Sequence, residues 1–120
     1  KYIDVKGNII HKDISILTNR LEKQLSYKYP IQLDMYYLNK QKTLIISRIV
    51  VDNDSRNRGI GTKVMGKICE FADNNKIPIA LTPDNSFGGN KSRLEKFYKK
   101  FGFVRYKGFD FRETMIRYPV

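Results

Sequence analysis

Apolar residues along this chain fall into two rhythms, one of helices and one of strands. From Asp13 they recur at Ile14, Leu17, Leu21 and Leu25, the three-four spacing of a single helix face. Asp13 supplies an N-cap, and Tyr29-Pro30 stops the helix because the residue before proline avoids the helical region. Two β-rich runs follow, Ile31–Leu38 and Thr43–Val51. The polar joint Asn39-Lys40-Gln41-Lys42 predicts an antiparallel hairpin between them, without the favoured Asn-Gly pair. Beyond a polar loop, Asp52–Arg58, a second amphipathic helix is predicted from Ile60 to Asn74, with Ile60, Val64, Ile68, Phe71 and Ala72 on one face.

Ile77–Leu81 reads as a short, nearly continuous apolar strand with Pro78 and Pro83 at its flanks. A helix that carries the chain from one β run to the next predicts a right-handed parallel crossover. The turn-rich loop Thr82–Asn90 then leads to a third helix, for which Ser92 and Glu95 form a capping box. Leu94, Phe97, Tyr98 and Phe101 make its buried stripe, and Gly102 ends it. Phe103–Tyr106 and Glu113–Tyr118 are two more β runs around a Lys107-Gly108 turn. At the other end, Lys1–Val5 alternates weakly as a short strand before a Lys6-Gly7-Asn8 turn. No internal repeat or low-complexity linker divides the chain, so residues 1–120 are expected to form one mixed α/β domain.

Composition narrows the class. A share of 41% apolar and 29% charged residues is that of a globular protein. Cys69 is the single cysteine, so no internal disulfide forms and a reducing compartment is expected. Apolar runs such as Ile49-Val50-Val51 are far too short to span a bilayer, and the first residues carry no signal-peptide pattern. The expectation is a soluble cytoplasmic protein, monomeric or homodimeric, with no membrane partner. The net charge of +11 rests on 15 Lys and 8 Arg, and Ile and Asn are also plentiful, a bias that AT-rich codon usage produces. Residues 90–120 nevertheless concentrate nine of these cations against three acids. A solvated surface and one facing an acidic or nucleic-acid partner both remain open.

The stretch most informative for chemistry is Leu44–Thr62, a β-branched strand, a loop, and then Arg56-Asn57-Arg58-Gly59-Ile60-Gly61 opening a helix. The first turn of a helix offers unpaired N–H groups and the positive end of the macrodipole, so this is an anion cradle. Gly59 and Gly61 let the backbone approach a phosphate, and Arg56 and Arg58 add charge-assisted bonds. A dinucleotide fingerprint fails here, because Val64 stands where its third glycine belongs. A Walker loop forced onto Gly61–Lys67 fails too, since Ile68 follows the lysine where a hydroxyl should hold magnesium.

Arg56-x-x-Gly59-x-Gly61 after a strand and loop resembles the coenzyme A pyrophosphate loop of the GNAT (GCN5-related N-acetyltransferase) superfamily. Phe97-Tyr98-Lys99-Lys100-Phe101-Gly102-Phe103 resembles that family's late helix-to-strand segment, at the family's spacing, and together the two cover roughly residues 43–106. The resemblance implies a GNAT-like α/β (α+β) fold: a mixed, mostly antiparallel twisted sheet with helices on both faces and a parallel pair that opens around the cofactor. The implied activity is transfer of an acetyl group from acetyl-CoA to a primary amine, on a protein or a small molecule, by direct attack and without a metal. Main-chain groups of Ile49, Val50 and Val51 would meet the pantetheine arm and the acetyl carbonyl. Arg56, Asn57, Arg58, Gly59, Ile60, Gly61 and Thr62 would hold the pyrophosphate, with Lys91 also toward the cofactor. Tyr98 matches the tyrosine that protonates the departing thiolate. Two other readings of the same fold are a nucleic-acid-directed protein and a non-catalytic binding or inhibitor module.

Departures from the family pattern leave the general base open. Ile45 stands where some protein-lysine acetyltransferases carry glutamate, and Lys91 where an asparagine is frequent. Asp34, Asp84 and a water held by carbonyls are the candidates. Tyr98 shares its stripe with Leu94 and Phe97, so packing alone would also account for it. Lys91, Arg93, Lys96, Lys99 and Lys100 are either a solvated helix face or a surface that steers the 3′-phosphate end of coenzyme A. Cys69, among Met65, Ile68 and Ala72, reads as a buried small hydrophobe. The lone His11 reads as a surface residue, and Phe87-Gly88-Gly89-Asn90 as a flexible loop or a substrate lid.

Overall fold

In the computed structural model, which describes residues 2–3, 9–10, 13–56, 58–84 and 90–120, the chain alternates strands and helices. The order is β1 (Tyr2–Ile3), β2 (Ile9–Ile10), α1 (Ile14–Lys28), β3 (Ile31–Leu38), β4 (Thr43–Val51) and a 3-10 turn at Asn53–Ser55. Then come α2 (Ile60–Asn74), β5 (Ile79–Leu81), α3 (Lys91–Lys100), β6 (Val104–Arg105) and β7 (Met115–Arg117). Strands β1 and β2 pair with each other, antiparallel, as a separate two-stranded sheet among the described residues. Of the expected strand Lys1–Val5, Tyr2–Ile3 is described and is a strand, and residues 1, 4 and 5 lie outside the described residues. The Lys6-Gly7-Asn8 turn, His11, Asn57 and Phe87-Gly88-Gly89 lie outside the described residues.

The other five strands form one sheet in the order β3-β4-β5-β7-β6. Only β4 and β5 run parallel, joined by the α2 crossover, and the remaining pairs are antiparallel. Alternation of side chains sends Leu44, Ile46, Ile79, Leu81 and Met115 into the core cluster. There they meet Leu25 of α1, Val64, Met65, Ile68 and Ala72 of α2, and Tyr98 of α3. The intervening residues Ile45, Ala80 and Ile116, aligned across three strands, are also buried, so the middle of the sheet is covered on both faces.

Helix ends follow local chemistry. The Asp13 side chain accepts from the Ile16 N–H at 3.3 Å and starts α1 as expected. At α3 the capping-box expectation is corrected. The helix starts two residues ahead of the place Ser92 implies, because Asn90, as good a cap as serine, accepts from the Arg93 N–H at 3.2 Å. Its other end is a Schellman turn. Phe103 N–H bonds Tyr98 O, Gly102 N–H bonds Lys99 O, and Gly102 sits at φ +96. Helix α2 closes the same way, with Ile77 N–H on Ala72 O, but Lys76 takes the left-handed position at φ 57. That closure, together with Pro78's missing N–H, shortens the expected strand Ile77–Leu81 to Ile79–Leu81. The last two β runs are likewise trimmed, to Val104–Arg105 and Met115–Arg117.

Candidate active site

One irregularity in the hairpin opens the site. Asp34 pairs with Arg48 and Met35 with Ile46, so Ser47 is the extra residue of a β-bulge. On the other side of β4, pairing with β5 runs from Leu44–Ile79 to Ile46–Leu81 and stops there. Past the bulge, β4 keeps β3 on one edge, while the other edge faces a cleft of about 710 Å³ instead of a strand. Ile46 and Leu81 lie where the strands part, Ser47–Val51 line one wall, and Thr82 and Asp84 carry the opposite side onward from β5. The volume is that of a small-molecule site.

At the end of β4 the chain turns into α2 around Gly59, Ile60, Gly61 and Thr62, all of which line the cleft. Gly59 adopts φ 74, the left-handed region, and is the N-cap of α2 without a side-chain bond. Space is not what selects glycine there, since a Cβ would meet nothing within 4 Å. Gly61 differs. A Cβ on it would meet Phe97 Cζ at 3.6 Å and Val51 Cγ2 at 4.0 Å, ordinary contact distances, so the helix start lies close against both side chains. The first intrahelical bond runs from Lys63 N–H to Gly59 O, and helix geometry leaves the N–H groups of Ile60, Gly61 and Thr62 without an acceptor inside the helix. These donors, together with the positive helix end, fit a diphosphate.

The side chain of Arg56 has a structural task as well as a charge. Its Nε donates to Val51 O at 3.2 Å and ties the loop back to the end of β4, while the residue lines the cleft beside Ser55. Of the residues expected to hold the cofactor, Ile49, Val50, Val51, Arg56, Gly59, Ile60, Gly61 and Thr62 are thus brought together. Arg58 and Lys91 are exposed and are not among the lining residues.

Tyr98 enters from α3 with Leu94 and Phe97. It is only 6% exposed, with its ring held edge-on by Phe97 at 5.3 Å and Phe103 at 5.6 Å. Burial pushes its phenol up to about 12, so it keeps its proton throughout the neutral range. Of the two carboxylates that were candidates for the base, Asp84 borders the cleft and Asp34 does not. Asp34 has a side chain 68% exposed and lies 3.9 Å from Arg48 Nε. Ile45 is buried in the sheet and Cys69 in the core, where burial raises the thiol. Among the described residues no three His, Cys, Asp or Glu side chains gather as a metal site.

Sequence reasoning passed over Ser47, Arg48, Ser55, Thr82 and Leu94, all of which line the cleft. The polar pair Ser47-Arg48 inside an apolar strand is the one signal that marked the bulge.

The family model described as an acetyltransferase (GNAT) domain matches residues 30–105. An acetyltransferase of the GNAT family from Staphylococcus aureus Mu50 aligns with a TM-score of 0.57 at 17% identity, over 88% of this chain and 87% of its own. The anti-CRISPR protein AcrVA5 aligns with a TM-score of 0.56 at 16% identity, over 72% and 88%. Tetrahymena GCN5 gives 0.54 at 16% identity, over 91% and 89%. At these identities the likeness is one of fold. No curated protein matches the chain by sequence.

Proposed function

The chain belongs to the GNAT acetyltransferase family, and on that premise we propose that it moves an acetyl group from acetyl-CoA to a primary amine. The observation that carries this reading is the continuity of the cleft, from the first-turn N–H groups at Ile60–Thr62, along the open edge of β4, to Tyr98. Acetyl-CoA, when bound, supplies an activated thioester. The turn at Gly59–Thr62 binds the diphosphate through main-chain donors, and the edge of β4 from Ser47 to Val51 orients the pantetheine amides. A β4 N–H directed at the thioester oxygen stabilises the charge that collects there.

The acceptor nitrogen forms the new C–N bond as the C–S bond breaks. Tyr98 gives its proton to the departing sulfur, and the proton shed by the nitrogen goes to Asp84 directly or through water. A phenol held neutral by burial has a proton to give in the first of these transfers, and a carboxylate at the exposed rim can accept one in the second. Calorimetric titration with acetyl-CoA, followed by thiol release with polyamines, peptides and aminoglycosides as acceptors, tests the reading. Absence of acetyl-CoA binding at sub-millimolar concentration would favour a non-catalytic module instead.

A further inference from the structure

The loop between β6 and β7 is built to display one phenylalanine. Tyr106 folds back over Gly108, donates from its hydroxyl to Asp110 Oδ2 at 2.8 Å, and stacks on Phe111 at 4.3 Å. A Cβ on Gly108 would run into the Tyr106 ring and hydroxyl, so glycine lets Tyr106 fold over the turn in this way. The loop is anchored at both sides. Thr114 N–H donates to Thr82 Oγ1 at 3.3 Å beside the cleft, and Gln41 Nε2 donates to Asp110 O at 3.3 Å on the β3–β4 turn. At the apex of this braced segment Phe109 is fully exposed. Exposure alone is ordinary for a single apolar side chain, but one braced in place loses little freedom on binding and is suited to serve as an anchor.

Charge identifies what the knob meets. Arg105 at the end of β6 and Lys107 and Arg112 on the loop are exposed, and the Gln41–Asp110 bond brings exposed Lys40 and Lys42 of the β3–β4 turn beside them. Against these five cations stand Asp110, already engaged by Tyr106, and the half-buried Glu113. From this we infer that the Phe109 loop and the β3–β4 turn form a docking surface for an acidic polypeptide that carries apolar side chains. Nucleic acid fits less well. Single strands are held by successive stacking platforms, whereas on this loop Tyr106 and Phe111 stack on each other and leave Phe109 as its one fully exposed ring. The surface is set by contacts within this loop and with the β3–β4 turn and Thr82, and its argument does not rest on what the cleft binds.

The test is binding of a fluorescently labelled random copolymer of glutamate and tyrosine to the full chain, read by anisotropy at low salt. Saturable binding is expected, with Phe109→Ser weakening it about tenfold or more. Lys40→Glu combined with Lys107→Glu should weaken it further and flatten its salt dependence, while Lys23→Glu on α1 changes it less than twofold. Three results overturn the inference: no binding by the unaltered chain, equal binding by Phe109→Ser, or equal binding of polyglutamate without tyrosine. Tighter, Phe109-dependent binding of single-stranded oligothymidine would reassign the surface to nucleic acid. Acetyl-CoA titration of the same variants separates failure here from failure of the catalytic reading.

Discussion

Arg117 of β7 grips Asp73 of α2 with both guanidinium nitrogens, Nη1 to Oδ1 at 2.9 Å and Nη2 to Oδ2 at 3.0 Å. The Arg117 side chain is only 8% exposed, and its Nε donates to Phe101 O at the end of α3. Val120 N–H adds a second bond to Asp73 Oδ1. One buried cation therefore joins the last strand, the end of α2 and the cap of α3.

Removing Asp73 strands that cation. Asp73→Ala is expected to cost about 2–4 kcal/mol in urea unfolding, because a buried partner loses its counter-charge. The pairing also holds the Asp73 carboxyl below the usual carboxylate range. Its stabilisation is therefore complete above the ordinary aspartate value of about 3.9, and is lost as pH falls through the lower folded-state value. The stability gap between the native chain and Asp73→Asn should shrink on acidification below about pH 4. A gap independent of pH across that range would show that the ion pair contributes nothing.

Tyr98→Phe separates packing from chemistry. No described residue hydrogen-bonds the Tyr98 hydroxyl, so its loss should leave unfolding free energy within about 0.5 kcal/mol. If the phenol is the acid, turnover should fall about 100-fold or more while acetyl-CoA affinity changes little. Since burial pushes the phenol up to about 12, Tyr98 itself should impose no alkaline limb between pH 6 and 9. Unchanged turnover in that window would leave Tyr98 as a core residue only.

Much of the scaffold was legible because local chemistry and tertiary packing agree. The bounds of β3, β4 and α2 match the β-branched runs and the apolar stripe read from sequence. The start of α3 was missed because Ser92-x-x-Glu95 matches a capping box, while Asn90, read as loop, caps the helix two residues earlier. The cradle at Gly59–Thr62 was visible because glycine and arginine spacing carries its own physics. The far wall was not. Thr82 and Asp84 reach the cleft only because β5 stops pairing at Leu81, and Ser47 only because of a register shift. Such facts belong to strand pairing, which no single segment encodes. The burial of Arg117 was hidden for the same reason, since its partner is 44 residues away.

The two glycines of the cradle should respond differently. Gly59→Ala forces an L residue into φ 74 and is expected to cost about 1–2 kcal/mol of stability. Gly61→Ala meets Phe97 and Val51 at ordinary contact distances, so the fold should tolerate it. Gly61→Glu adds bulk and negative charge where the diphosphate is expected, and should abolish acetyl-CoA binding in calorimetry with circular dichroism unchanged. Retained affinity would move the cofactor away from this turn.

The bulge that opens the cleft is held from outside the sheet. Glu22 of α1 accepts the Met35 N–H at 2.6 Å, and Met35 is the residue at which the β3–β4 register shifts. Glu22→Ala leaves that N–H without its charged acceptor and is expected to cost about 1–3 kcal/mol. Its more telling effect should be local. With the bulge loosened, the β4 edge from Ser47 to Val51 is less well placed, so acetyl-CoA affinity should fall several-fold although Glu22 is not among the cleft-lining residues. Hydrogen exchange at the Met35 amide checks the cause directly, because protection there should drop well before global unfolding in Glu22→Ala and only partly in Glu22→Gln. If Met35 protection survives in Glu22→Ala, the bulge stands without help from α1, and any loss of affinity must have another origin.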